Sequence, residues 1–125
     1  SLFIWGDNGY VASKVFDDKK AELCRFSLNP TGVKKLEKLG KLAIDAPVTG
    51  ADISDDGELL GLVSKQGAHV FRIHGDPMAA IGAKPKTTRF KHEHIEACTF
   101  TKGGLLATAE TGEIFLFNAP AFRGE

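Results

Sequence analysis

The sequence lacks the features that would tie it to a charged polymer, a bilayer or a redox pair. It carries no net charge, with 16 Lys and Arg against 16 Asp and Glu in 125 residues. A balanced chain has no electrostatic footprint for nucleic acid or an anionic membrane. Its small basic clusters, Lys34-Lys35 and the lysines between 84 and 91, read as solvated turns and an edge strand. No apolar run approaches the ~20 residues of a membrane-spanning helix. Cysteine is scarce: Cys24 and Cys98 lie far apart, and no Cys-x-x-Cys occurs, so thioredoxin-like and zinc-ribbon motifs are missing. Both cysteines fall in predicted strands and read as small buried hydrophobes. A disulfide would need their Cα atoms within ~7 Å, which spacing alone does not establish. No Gly-x-Ser-x-Gly elbow surrounds Ser13, Ser27, Ser54 or Ser64, and no nucleophile–base set is evident. Gly103-Gly104 precedes a strand and not a helix, which makes it a hairpin and not a phosphate cradle. No charged-then-apolar leader with a cleavage site is seen. The sequence opens at Ser1-Leu2-Phe3-Ile4-Trp5 with a strand already under way, the expectation for a processed product or a piece of a longer chain.

What is present is a pattern that occurs nearly twice. Residues 48–73 read as strand, turn, strand, turn, strand: Val-Thr-Gly-Ala-Asp-Ile, Ser-Asp-Asp-Gly, Glu-Leu-Leu-Gly-Leu-Val-Ser, Lys-Gln-Gly-Ala, His-Val-Phe-Arg-Ile. Residues 95–117 repeat the order, with Ile-Glu-Ala-Cys-Thr-Phe, Leu-Leu-Ala-Thr-Ala and Ile-Phe-Leu-Phe as the three strands. The turn glycines Gly57 and Gly104 sit about 47 positions apart, and a period of roughly 40–50 residues with three or four short strands is the mark of a β-propeller blade.

The rest of the chain fits the same alphabet. Residues 2–5 form a short apolar strand, and Gly6-Asp7-Asn8-Gly9 reads as a turn. Residues 10–16 continue as strand or loop, and Asp17-Asp18-Lys19-Lys20 as a hairpin tip. Residues 21–28 alternate as a half-buried strand does. Asn29-Pro30-Thr31-Gly32 is a turn. In residues 33–42, Leu36, Leu39 and Leu42 recur every three positions, which also suits a helix. An edge strand is preferred, because lysines protect sheet edges and Gly40 weakens a helix. In Ser54-Asp55-Asp56-Gly57 the serine and aspartate side chains are expected to bond backbone N–H groups while glycine takes positive φ. The nearly all-apolar segment that follows predicts a strand covered on both faces. Residues 75–85 are loop, 86–91 a second outer strand, and 118–125 a tail.

The expected fold is therefore all-β: about two and a half antiparallel β-propeller blades, in units of approximately 1–44, 48–91 and 95–118 of one partial domain. The first unit would lack its inner strand and the last its outer one. A closed propeller takes 4–8 blades, so an arc this short leaves sheet faces uncovered at both ends. Burying roughly 300–600 Å² at each face would contribute several kcal/mol at ~25 cal/mol per Å². Association follows as an expectation, with the rest of a parent propeller, another chain, or a homo-oligomer.

Three clusters bear chemistry. In His92-Glu93-His94-Ile95-Glu96, an extended backbone would place His92, His94 and Glu96 on one side, where two imidazoles and a carboxylate suit zinc or another divalent ion. The same segment also fits an exposed polar connector. Asp52, Asp55 and Asp56 are acidic without EF-hand spacing; turn chemistry accounts for the last two, while Asp52 would lie in an inner strand facing a channel. Glu96 and Glu110 flank the ends of adjacent strands, as ligand-binding residues or as rim residues facing water.

Ser54-Asp55-Asp56-Gly57-Glu58-Leu59-Leu60 resembles the Ser-Pro-Asp-Gly-x-x-Leu turn of WD40-like and TolB-like propeller blades, with Asp55 in place of proline. Glu96-Ala97-Cys98-Thr99-Phe100, followed by Leu105-Leu106-Ala107-Thr108-Ala109-Glu110, is similar to blades of phytase-like esterase propellers, with Cys98 for isoleucine and Ala109 for serine. Val48-Thr49-Gly50-Ala51-Asp52 looks like an inner-strand start of the same kind. The resemblance spans roughly residues 48–117 and implies propeller architecture. It also implies calcium-dependent phosphate-ester or lactone hydrolysis, most of whose site would lie on blades outside this sequence.

The function expected is a non-enzymatic β-propeller fragment acting in protein binding or assembly, with no cofactor. The alternative is part of a hydrolase propeller in which Glu96, Glu110 or Asp52 helps to hold a cation, calcium or zinc.

Overall fold

The computed structural model describes residues 1–13, 20–29, 32, 35–89, 92 and 94–118. Within them the chain is all-β, apart from one 3-10 turn at Pro77–Ala80 capped by Asp76, whose side chain accepts from the Met78 N–H. Three antiparallel sheets follow one another along the chain. The first contains β1 (Leu2–Trp5), β2 (Asn8–Ala12), β3 (Glu22–Ser27) and β4 (Glu37–Lys41). The second contains β5 (Val48–Ile53), β6 (Leu59–Ser64), β7 (Gly67–Arg72) and β8 (Lys86–Arg89), and the third β9 (Ile95–Thr101), β10 (Gly104–Ala109) and β11 (Ile114–Asn118). In each sheet the strands pair in chain order.

The first sheet corrects the expectation that its unit lacks a strand. Gly6 takes positive φ (59°) in a two-residue turn, Trp5 pairs with Asn8, and Asn8 and Gly9 are already strand. The preferred edge strand is present as β4, at the outer edge of the first sheet, and β8 holds the same place in the second. The expected hairpin tip at 17–20 and the turn at 29–32 fall largely outside the described residues, as do residues 33–34, 90–91 and 119–125.

β5 and β9 both carry a register shift at their second residue: Val48 pairs with Ser64 and Gly50 with Val63, while Ile95 pairs with Ala109 and Ala97 with Thr108. Beyond the bulge the turns differ. Residues 55–58 separate β5 from the partner of Ser54, whereas only 102–103 separate Thr101 from its partner Gly104. Gly57 therefore sits in a turn (φ 73°), whereas Gly104 is the first residue of a strand.

Strand alternation gives each sheet two faces. Three equivalent cross-strand rows make up one face: Ile4–Gly9–Phe26, Ile53–Leu60–Phe71 and Phe100–Leu105–Phe117. Three more make up the other: Phe3–Tyr10–Arg25, Asp52–Gly61–Val70 and Thr99–Leu106–Leu116. The sheets stack face to face in chain order. Phe3, Tyr10 and Leu23 of the first sheet pack with Leu60, Leu62 and Phe71 of the second. Leu59, Val63 and Val70 on the second sheet's other face pack with Ile95, Leu105 and Phe117 of the third. β6 is buried at every position because it is covered on both sides. The first strands touch in sequence, β1 against β5 and β5 against β9, and so lie along one side of the stack.

Glycine permits the closest approaches. A Cβ on Gly50 would lie 2.8 Å from the Ala97 Cα, and one on Gly61 would lie 2.9 Å from the Phe100 ring. β5 and β6 can therefore sit directly against β9.

Candidate functional site

A cleft of about 220 Å³ opens where the turn after β5 meets the turn after β9, lined by Ser54, Asp55, Asp56, Phe100, Thr101 and Lys102. Both walls are built by side chains that replace missing backbone partners. The Ser54 hydroxyl donates to Asp56 Oδ1 (2.7 Å) and accepts from the Leu59 N–H (3.0 Å), and Asp56 Oδ1 also accepts from the Glu58 N–H (3.0 Å). The expected turn chemistry is thus carried by Ser54 and Asp56, leaving Asp55 exposed at the rim. On the opposite wall the Thr101 hydroxyl accepts from the Gly103 N–H (3.1 Å) and donates to the Gly104 carbonyl (3.3 Å). The cleft thus presents two carboxylates and one lysine on tight turns.

Asp52 lies just behind this cleft. Its Oδ2 accepts from the Phe100 N–H (2.8 Å) and from the Thr99 hydroxyl (3.1 Å). The side chain expected to face a channel is committed to the neighbouring sheet. Cys98 packs beside it with Sγ 3.9 Å from the Gly61 carbonyl, and burial, then the Asp52 charge, pushes its thiol up to about 12.

The histidine segment meets the β10–β11 connection. His92 Nε2 lies 3.6 Å from Glu113, with its ring edge-on to Phe115, and His94 Nδ1 lies 3.4 Å from Glu110. The backbone reinforces the second pair, since the Glu110 N–H donates to the His94 carbonyl (3.0 Å). Glu113 is held below the usual carboxylate range, first by the Thr111 hydroxyl, with its own N–H and His92 contributing. Glu96 is exposed and takes part in neither pair. His92 and His94 lie side by side, the His94 N–H donating to His92 Nδ1 (3.3 Å) with ring centroids 6.1 Å apart; among the described residues no group of three His, Cys, Asp or Glu is placed to hold a metal ion.

Sequence reasoning missed His69. It is 3% exposed, with Nε2 2.8 Å from the Ser64 hydroxyl and Nδ1 3.1 Å from the Thr87 hydroxyl. Burial, and secondarily Arg89, lowers its pKa from an ordinary 6.5 to about 4. Ser64 precedes the two-residue turn Lys65-Gln66 and pairs with Gly67, while His69 pairs with Leu62 on the same face as Ser64; that alternation was the available signal. Ser64 is 0% exposed, so this Ser–His pair is a polar link between three strands with no path to a substrate. The cysteines are both free, with Cys24 buried as expected and Cys98 partly so.

No protein-family model and no curated protein matches the chain. Among solved structures it is similar to the crystal structure of the computationally designed Ika4 protein, with a TM-score of 0.51 and 10% identity over 94% of this chain and 88% of that one. At that identity the likeness concerns the fold alone.

Proposed function

We propose that the three sheets are blades of an incomplete β-propeller and that the chain acts without catalysis, through binding or assembly. The observation that carries this reading is the repeated stacking rule. The same face of each following sheet packs on the opposite face of the one before, and the first strands touch along one side. Among the described residues this arrangement leaves one sheet face without a neighbouring sheet at each end, and those faces carry exposed apolar side chains: Leu2 and Ile4 are 57% and 48% exposed at one end, Ile114 and Leu116 67% and 52% at the other.

The hydrolase alternative draws less support. Asp52 is occupied by Phe100 and Thr99, while His94 is the partner of Glu110. The cleft carboxylates Asp55 and Asp56 lie on a turn whose geometry already uses one of them. A crystal structure of the purified chain, with metal analysis and phosphate-ester and lactone assays run with and without chelator, tests the proposal. Sheets fanned about a common axis and no chelator-sensitive turnover are expected. A flat sandwich or metal-dependent hydrolysis would overturn it.

A further inference from the structure

Taking the blade reading as its basis, we infer that the open face of the third sheet receives the open face of the first sheet from a second copy of this chain, so that two copies close one six-sheet ring. The evidence is positional. Phe26, Phe71 and Phe117 occupy equivalent places, each paired across its sheet with Gly9, Leu60 and Leu105 respectively. Phe71 is buried against the first sheet and Phe117 against the second. Phe26 stands on the one face of this type that no preceding sheet covers, its ring lying across Gly9, where a Cβ would be 2.3 Å away.

The other half of the junction is the Thr99–Leu106–Leu116 row. Its counterparts Asp52–Gly61–Val70 and Phe3–Tyr10–Arg25 are each covered by the following sheet; Val70 and Tyr10 are both 4% exposed, whereas Leu116 is 52% exposed. Side-chain volume is matched across the inferred contact. Where the third sheet meets the second, Phe100 lies over Gly61. At the open ends the corresponding residues are Ile4 and Leu106, so a smaller knob meets a larger floor. One chain therefore carries both halves of one head-to-tail contact, and a head-to-tail contact closes into a ring when the rotation permits. Two copies supply six sheets, inside the 4–8 range of closed propellers, whereas three copies exceed it. Four faces of roughly 300–600 Å² each reach the roughly 1,200–2,000 Å² of a stable interface.

The test is sedimentation and native mass spectrometry of the whole chain and two variants, Ile4→Lys and Leu116→Lys, with circular dichroism to establish that each folds. Both positions are already exposed in the single chain, so the substitutions leave its own core intact. The wild type is expected to be a dimer, and each variant to weaken dimerisation by about 100-fold or more, since each homodimer junction then buries an unpaired lysine. Mixing the two variants is expected to restore a heterodimer, because one of its two junctions is free of lysine. A monomeric wild type, an open polymer, a dimer sensitive to one variant only, or no heterodimer on mixing would each overturn the inference. A monomer whose crystal structure shows fanned sheets would leave the blade reading in place, whereas a flat sandwich would remove both.

Discussion

Asp52 and Phe100 join two sheets through one charged hydrogen bond, the carboxylate Oδ2 accepting the backbone N–H at 2.8 Å. Phe100 also places its ring over Gly61 of β6, so one residue of the third sheet meets two strands of the second. Asp52→Ala leaves that N–H without its acceptor and is expected to cost about 1–3 kcal/mol. Asp52→Asn keeps an oxygen in place and should cost less. Urea unfolding at pH 7 measures both; equal stability of wild type and Asp52→Ala would refute the role.

The contact between the second and third sheets also depends on a missing side chain. An alanine Cβ at position 50 meets the Ala97 Cα at 2.8 Å, and backbone cannot move aside as a flexible side chain would. Gly50→Ala is expected to destabilise by about 1–3 kcal/mol through overpacking. Gly103→Ala is the control, since its new methyl meets only the Thr101 hydroxyl at 3.9 Å. Thermal denaturation of the pair should separate them clearly.

The buried imidazole predicts an acid-sensitive fold. His69 is neutral in the folded chain down to about pH 4, while in the unfolded chain it takes up a proton near 6.5. Between those values the unfolded state binds more protons, so stability rises with pH there and is lost as pH falls from 6.5 toward 4. The full effect is about 3 kcal/mol. An NMR titration should place the His69 midpoint near 4, with folding free energy declining over the same window. A midpoint near 6.5 would contradict the buried site.

Thiol chemistry offers a separate check. Burial raises both cysteines, Cys98 to about 12, with Asp52 adding to the effect there and Glu22 at Cys24. The thiolate is the reactive form, so both should react slowly with a disulfide reagent at pH 8. In denaturant two thiols per chain should react at once, because both are free. Rapid native labelling of Cys98 would show that the contact between the second and third sheets opens.

Strand periodicity was legible wherever one residue type recurred on one face. The all-apolar run of β6 announced a strand covered on both sides, and Lys38 and Lys41 marked an edge. Misreadings fell where local pattern underdetermines geometry. Asn8 and Gly9 looked like turn residues, but a glycine at position 6 let the chain reverse two residues earlier. Gly57 and Gly104 looked equivalent in the text, yet one forms a turn and the other begins a strand.

Order along the chain was enough to establish an all-β protein, because side-chain alternation and turn chemistry act over a few residues and leave their trace in the letters. Which side chains from distant strands meet was decided only by folding. Asp52 meets the Phe100 N–H, and Ser64, His69 and Thr87 form one buried network. Those outcomes depend on sheet stacking and register, and both are settled by the joint packing of whole faces.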